Sequence, residues 1–187
     1  AATLATLIAG NAFANTHGED AVTTMTVDSA APIRATLLPT VSIDATQAAR
    51  RLGNAAAPAA ALGHWVGVIR ETFEEVGILL AYAADGRPVR LHRERYAAYR
   101  RACQADHRAF WEMLRAERLT LATDTLVYFA HWITPEIQPL RFDTRFFAAP
   151  MPEGQEAVAD EQEITEVRWL TPREALDTNA RGQLSLR

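Results

Sequence analysis

The sequence predicts an α+β fold, an α/β/α sandwich around a mixed β-sheet, on three observations. Strand-like and helix-like segments alternate along the chain with no internal repeat. Hydrophobic residues make up 49% and charged residues 22%, which supplies a core and excludes a disordered chain. The length, 187 residues, suits a single domain over 1–187.

Composition excludes several classes of function. A formal net charge of −4 argues against nucleic acid as a partner. Cys103 is the single cysteine, so neither an internal disulfide framework nor a cysteine zinc site can form. All 19 basic residues are Arg, which excludes Schiff-base chemistry and a phosphate-loop lysine. No apolar run reaches the roughly 18 residues a spanning helix needs, so no membrane partner is expected. Ala1 to Ala14 reads as an N-terminal strand with a Gly10-Asn11 turn rather than as a signal peptide, and a cytoplasmic protein is expected.

The elements follow in order. Ala21 to Val27 and Thr36 to Ile43 are rich in Thr and Val, which form strands. Asp44 is placed to cap a short helix through Gln47 to Leu52, stopped at Gly53-Asn54. Pro58 suits the first turn of the next helix. Val66, Ile69, Phe73 and Val76 form a stripe at helical spacing, and Gly77 stands where a left-handed C-cap is needed. Ile78 to Tyr82 reads as a strand and Asp85-Gly86 as a turn. Residues 87–118 read as a helical insert, with Tyr96, Tyr99, Cys103, Phe110 and Leu114 on its apolar side. Nine Arg there face four acids, a surplus of five positive charges. Leu126 to Trp132, Arg141 to Ala148 and Glu161 to Leu170 read as strands, with a Thr134-Pro135 break and a Met151 to Gly154 turn between them. Thr171-Pro172-Arg173-Glu174 starts a last helix.

The chemistry concentrates in Arg70-Glu71-Thr72-Phe73-Glu74-Glu75-Val76-Gly77. On a helix Glu71 and Glu75 lie about 40° apart, with Glu74 about 60° to the other side. Three anions on one face repel one another unless Arg70 or a divalent metal relieves them, and hard oxygen donors suit Mg²⁺ or Mn²⁺. The alternative is a solvated acidic face.

That octet resembles the second half of the Nudix box. Trp132-Ile133-Thr134-Pro135, then Arg141-Phe142-Asp143-Thr144-Arg145-Phe146-Phe147, is similar to the branch containing the peroxisomal coenzyme A diphosphatase and its bacterial relatives. Glu166-Val167-Arg168-Trp169-Leu170-Thr171-Pro172 resembles the closing segment of Nudix domains, and the likeness runs from about Asp44 to Leu186. It implies a Nudix-like sandwich and a metal-dependent hydrolase cleaving a pyrophosphate linkage in a nucleoside-diphosphate-linked compound, with coenzyme A or a nucleotide sugar as the substrate type. It implies Glu71, Glu74 and Glu75 as ligands of Mg²⁺ or Mn²⁺. Glu74, Glu75 and Arg70 carry catalysis, with Glu75 doubling as base and Arg70 anchoring the carboxylates. It also implies a further acid from a later loop, Glu161 or Glu163, and a homodimer.

The resemblance weakens in the first half of the box. Leu38-Pro39-Thr40-Val41-Ser42-Ile43-Asp44 stands where Phe-Pro-Gly-Gly and a following Asp are expected. Pro39 and Asp44 match; Thr40 and Val41 replace both glycines, Gln47 replaces an acid, and Val27-Asp28-Ser29-Ala30 replaces a basic strand. Two further readings therefore stand beside the hydrolase: a Nudix-fold protein that binds its ligand without turning it over, and an unrelated interaction module. Arg141 and Arg145 are candidate substrate-binding residues, sharing one strand face with Asp143 on the other, and the solvent-facing alternative stays equal. Trp132 reads as core ahead of base-stacking, His64 as structural, His107 as surface and Cys103 as a buried inert thiol.

Overall fold

The computed structural model describes residues 6–16, 40–137, 140–161, 164 and 166–183, with the backbone alone for 6–16, 140 and 141. The strand expected over Ala21 to Val27, the segment Val27-Asp28-Ser29-Ala30, residues 36–39 with Pro39, and Glu163 lie outside the described residues, as does the side chain of Arg141. The elements are β1 (Thr6–Thr16), β2 (Thr40–Val41), α1 (Ala45–Arg51), α2 (Pro58–Val76), β3 (Ala81–Tyr82), α3 (Arg93–Ala105), α4 (Arg108–Ala116), β4 (Thr120–Leu121), β5 (Val127–Ile133), β6 (Leu140–Pro150) and α5 (Pro172–Ala180). The class is α+β. Among the described residues, mixed pairing is found in a small sheet ordered β2-β4-β3, with β2 parallel and β3 antiparallel to β4. A separate antiparallel sheet runs β1-β6-β5.

The long ladder of β1 with β6 corrects the expected Gly10-Asn11 turn. Gly10 pairs with Phe146 and Asn11 with Arg145 in mid-strand. Eleven cross-strand pairs outweigh a local turn propensity. β5 joins the other side of β6, with His131 opposite Arg145 and Trp132 opposite Thr144.

α2 is the axis of the molecule. Pro58 opens it, and Gly77 closes it with φ +74, a left-handed cap that Gly adopts without steric cost. Its buried side is Ala61, Trp65, Val68, Ile69, Thr72 and Phe73, with Val66 and Val76 at the margin, so the apolar stripe is rotated from the one the spacing suggested. Trp65 meets Phe147 edge-on at 4.9 Å between ring centroids, and Phe73 meets Phe110 of α4 at 6.3 Å. Trp65 is 1% exposed, and its indole N–H donates to the Ala48 carbonyl of α1 at 3.3 Å. Asp44 caps α1 in a capping box with Gln47, as its position predicts.

Three expected features differ. The strand at Ile78 to Tyr82 shrinks to β3 because the Gln155 side chain takes the place of a neighbouring strand. It accepts from Leu79 N at 2.9 Å and donates to Leu79 O at 3.0 Å and Val89 O at 3.2 Å. The strand at Glu161 to Leu170 does not form among the described residues. Ile164 N turns back onto Asp160 Oδ1 at 2.8 Å, and Glu166 pairs with Arg168 two residues on. Trp132 is 63% exposed on β5, so it is not core. The insert resolves into a helix pair, α3 and α4, buried at Tyr96, Cys103, Phe110, Met113 and Leu114. Among the described residues no helix is long and apolar enough to cross a membrane.

Candidate functional site

The last two turns of α2 carry the acids. Glu71, Glu74 and Glu75 are half-buried there, which sets them apart from a freely solvated face. Arg70, 17% exposed at its side chain, pairs with Glu74 one turn on and with Glu71 at 3.2 Å. The pairing sets the Arg70 guanidinium between two of the three acids. It leaves the three carboxylates unconverged: among the described residues no group of three or more His, Cys, Asp or Glu forms a cluster able to hold a metal. The donor chemistry still fits a hard divalent ion, three half-buried carboxylate side chains within five residues of one helix.

The helical insert buttresses this end of α2, a role that sequence reasoning missed. Arg100 of α3 donates from Nε to the Glu74 carbonyl at 2.9 Å and from Nη2 to the Glu75 carbonyl at 2.6 Å. Gln104 adds Nε2 to the Glu74 carbonyl at 2.8 Å. The final carbonyls of a helix lack internal partners and carry the negative end of its dipole, so a cation here satisfies both needs. Gly77 makes room for it, since a Cβ there would lie 3.3 Å from Arg100 Nη1. The signal available in the sequence was the run of Arg in 87–118, without a way to know which one turns inward. Burial depresses the Arg100 pKa, with Asp160 opposing that shift. Cys103 on the same side of α3 is buried, and its thiol is pushed up to about 12 by burial and then by Glu74, with Arg70 opposing. A thiol that stays protonated is inert, as the sequence suggested.

The loop after β6 meets the same end of α2. Val158 N donates to the Val76 carbonyl at 2.9 Å, which ties the loop leading to Glu161 to the end of α2. Glu161 itself is exposed and adopts φ +62, an uncommon conformation for a residue with a Cβ.

Thr40 and Val41 do not form a loop. They are strand β2, paired in parallel with Thr120 and Leu121. A polar knot at Asp124 fixes the strand's end. Ser42 Oγ donates to Asp124 Oδ1, Tyr82 OH donates to Asp124 Oδ2 at 2.9 Å, and Asp124 N donates to Ser42 Oγ at 2.8 Å. Burial pushes the Asp124 carboxyl up, yet the Ser42 and Tyr82 bonds hold it below its ordinary value. No sequence signal marked this trio, whose members are 42 and 82 positions apart.

A second polar cluster lies between the first half of α2 and the main sheet. His131 Nε2 and Asp143 Oδ1 are 2.6 Å apart, and Arg145 Nη1 donates to the same oxygen at 2.8 Å. Asp143 therefore shares a strand face with Arg145, which corrects the opposite-face expectation; residues two apart on a strand point the same way. Burial chiefly, then Arg145, lowers the His64 pKa to about 4; Asp143 raises it and His131 lowers it further. The unfolded imidazole titrates near 6.5, so a folded pKa below that value makes acid destabilising. We expect the contribution of neutral His64 to be complete above about pH 6.5, to fall as pH drops, and to level off near pH 4. Thermal melts at intervals over that window should show the slope, and His64→Gln should flatten it.

Three comparisons bear on the geometry. The family model described as the NUDT19 Nudix domain matches residues 10–186. The chain is similar to the acyl-coenzyme A diphosphatase NUDT19 of Xenopus laevis, 31% identical over 122 residues, covering 58% of this chain and 32% of that protein. It thus spans about a third of that relative's length. The crystal structure of a Nudix hydrolase from Alicyclobacillus acidocaldarius superposes with a TM-score of 0.59 at 23% identity, over 83% of this chain and 74% of that one, a likeness of fold.

Proposed function

The chain belongs to the Nudix family, and from that membership we propose that it is a pyrophosphohydrolase acting on a small nucleoside-diphosphate-linked compound, with coenzyme A or an acyl derivative as the favoured substrate class. The observation that carries this reading is the half-buried acidic end of α2, braced by Arg70 from within the helix and by Arg100 and Gln104 from the insert.

Glu71, Glu74 and Glu75 would hold a divalent cation, Mg²⁺ or Mn²⁺, which when bound neutralises pyrophosphate charge and acidifies a water. The residues of this chain do the rest. Arg70 spaces Glu71 and Glu74 and offsets their repulsion while the site is open. Arg100 and Gln104 fix the backbone of Glu74 and Glu75, so the two carboxylates start from a held turn. Glu75 is the proposed base, and the loop that leads to Glu161 is tied to the end of the same helix by the Val158 N–H on the Val76 carbonyl.

A second reading is binding without turnover. The position of Thr40 and Val41 favours it: a strand in a ladder cannot supply the free backbone turn that a glycine pair allows. One panel separates the two. The intact protein is incubated with coenzyme A, an acyl-coenzyme A, a nucleotide sugar and a dinucleoside diphosphate in the presence of Mg²⁺ or Mn²⁺. Cleavage of the coenzyme A compounds to two phosphate-bearing products supports the hydrolase. Ligand-induced thermal stabilisation with every compound intact supports the binder.

A further inference from the structure

Charge is unevenly placed along this chain. Within residues 87–118 nine Arg meet four acids, whereas in the rest of the chain ten Arg meet nineteen acids. The segment that braces the acidic end of α2 is therefore a basic island in an acidic protein. Neighbouring acids quench only part of its surplus. Arg95 pairs with Glu117, Arg108 with Asp106 at 3.1 Å, Arg93 with Glu156 at 3.0 Å and Arg87 with Asp85 at 3.9 Å. Arg100 is spent on the carbonyls of Glu74 and Glu75. Arg90, Arg101, Arg115 and Arg118 are exposed and form no ion pair among the described residues.

Of these four, Arg101 alone belongs to α3, the helix that clamps the end of α2. Tyr96 and Cys103 mark the core side of α3, and Arg100 and Gln104 mark the side against the last turn of α2. At about 100° per residue, Arg101 stands roughly 60° beyond Gln104 and nearly opposite Cys103. It lies within one turn of both side chains that bond the Glu74 carbonyl, on the solvent side of that contact. Glu94 shares this side of α3 two turns earlier, about 10 Å away along the axis and too far for an ion pair. A diphosphate ester that approaches three carboxylates is repelled by them. Exposed charges act over about 8 Å at physiological salt, and a rim of one sign raises capture of the opposite sign tenfold or more at low salt.

We propose that the helical insert is an electrostatic guide for a polyanionic substrate. Arg101 receives a phosphate of that substrate at the rim of the acidic site, and Arg90, Arg115 and Arg118 supply the field behind it. The destination rests on the hydrolase reading, whereas capture of the anion needs no turnover. The ligand chemistry is a small soluble diphosphate ester. A point charge suffices for the role, so the guide sets KM and the association rate and leaves kcat to the acids of α2.

The test is the salt dependence of kcat/KM for the best substrate of the panel. In the wild type it should fall about tenfold between roughly 20 and 300 mM KCl. At the low-salt end Arg101→Glu should lower kcat/KM about tenfold through KM, with kcat within about twofold, and the loss should shrink to about twofold at the high-salt end. Arg101→Lys should keep at least about half of the wild-type value. A wild-type kcat/KM that ignores salt, an Arg101→Glu variant equal to wild type at low salt, or a loss confined to kcat overturns the guide. Calorimetric titration of α,β-methylene-ADP with Mg²⁺ reads the same step without cleavage. Its affinity should be about tenfold weaker in Arg101→Glu at low salt and should converge with wild type at high salt; equal affinities at low salt also overturn the proposal. If Arg101→Glu does not fold, Arg101→Gln decides, by a loss of about threefold in place of tenfold. A protein that shows the calorimetric difference and cleaves nothing loses the hydrolase reading and keeps the guide; cleavage with one salt response in both proteins does the reverse.

Discussion

Glu74→Gln should lower kcat by about 10²- to 10³-fold with little change in Tm. Gln keeps the shape of the side chain and an oxygen for Arg70, so the pairing that spaces the acids survives in weakened form. The backbone clamp is untouched, because Arg100 and Gln104 bind the carbonyl and not the carboxylate. Only the negative charge is removed, and with it a hard ligand in a site where charge is stabilised in the transition state. Glu75→Gln should fall at least as far if Glu75 is also the base. Steady-state rates with the best substrate of the panel, alongside circular dichroism, check both. A solvated acidic face would give rates within about twofold of wild type, since such positions contribute little.

Trp65→Ala should cost about 3–5 kcal/mol of folding stability, the usual range for emptying a buried aromatic site. The ring is 1% exposed and locks three elements at once: it meets Phe147 of β6, bonds the Ala48 carbonyl of α1 and supports Arg51 at 5.6 Å. The neighbours come from separate strands and helices, so no one of them can collapse into the gap. Loss of the indole N–H also removes a partner from a buried carbonyl. Urea unfolding of wild type and variant, fitted with a common m-value, measures the difference. Trp65→Phe should recover about half the loss, since it restores the ring packing and not the bond.

Local signals survived into the structure where the chain's own chemistry decides them. Asp44 and Thr171 cap their helices, Pro58 opens α2 and Gly77 closes it, because each acts within four residues of itself. The acidic octet was legible for the same reason, since one helix turn sets the spacing of its residues. Much of what failed depended on distant partners. Gly10-Asn11 is strand because β6 pairs with it, and Ile78 to Leu80 is not strand because Gln155 bonds it first. The stripe on α2 was misjudged by a fraction of a turn because Val66 and Val76 face the rim while Trp65 and Val68 face the core. In the site, Arg70 was readable as an anchor one turn from Glu74. Arg100, Gln104 and the Asp124 knot were not, since each reaches across 25 or more positions and nothing in a single sequence marks such a pair.

The pairing of Arg70 with Glu71 and Glu74 makes cation binding the decisive question, because an ion must compete with a guanidinium already in place. Calorimetric titration of Mn²⁺ into the intact protein, wild type beside Glu74→Gln, tests it without any substrate. Saturable binding in the wild type, weaker by about tenfold or more in Glu74→Gln, is the expected result. Heats that never saturate through the millimolar range, or identical isotherms for the two proteins, would contradict a metal-binding role for the acids of α2.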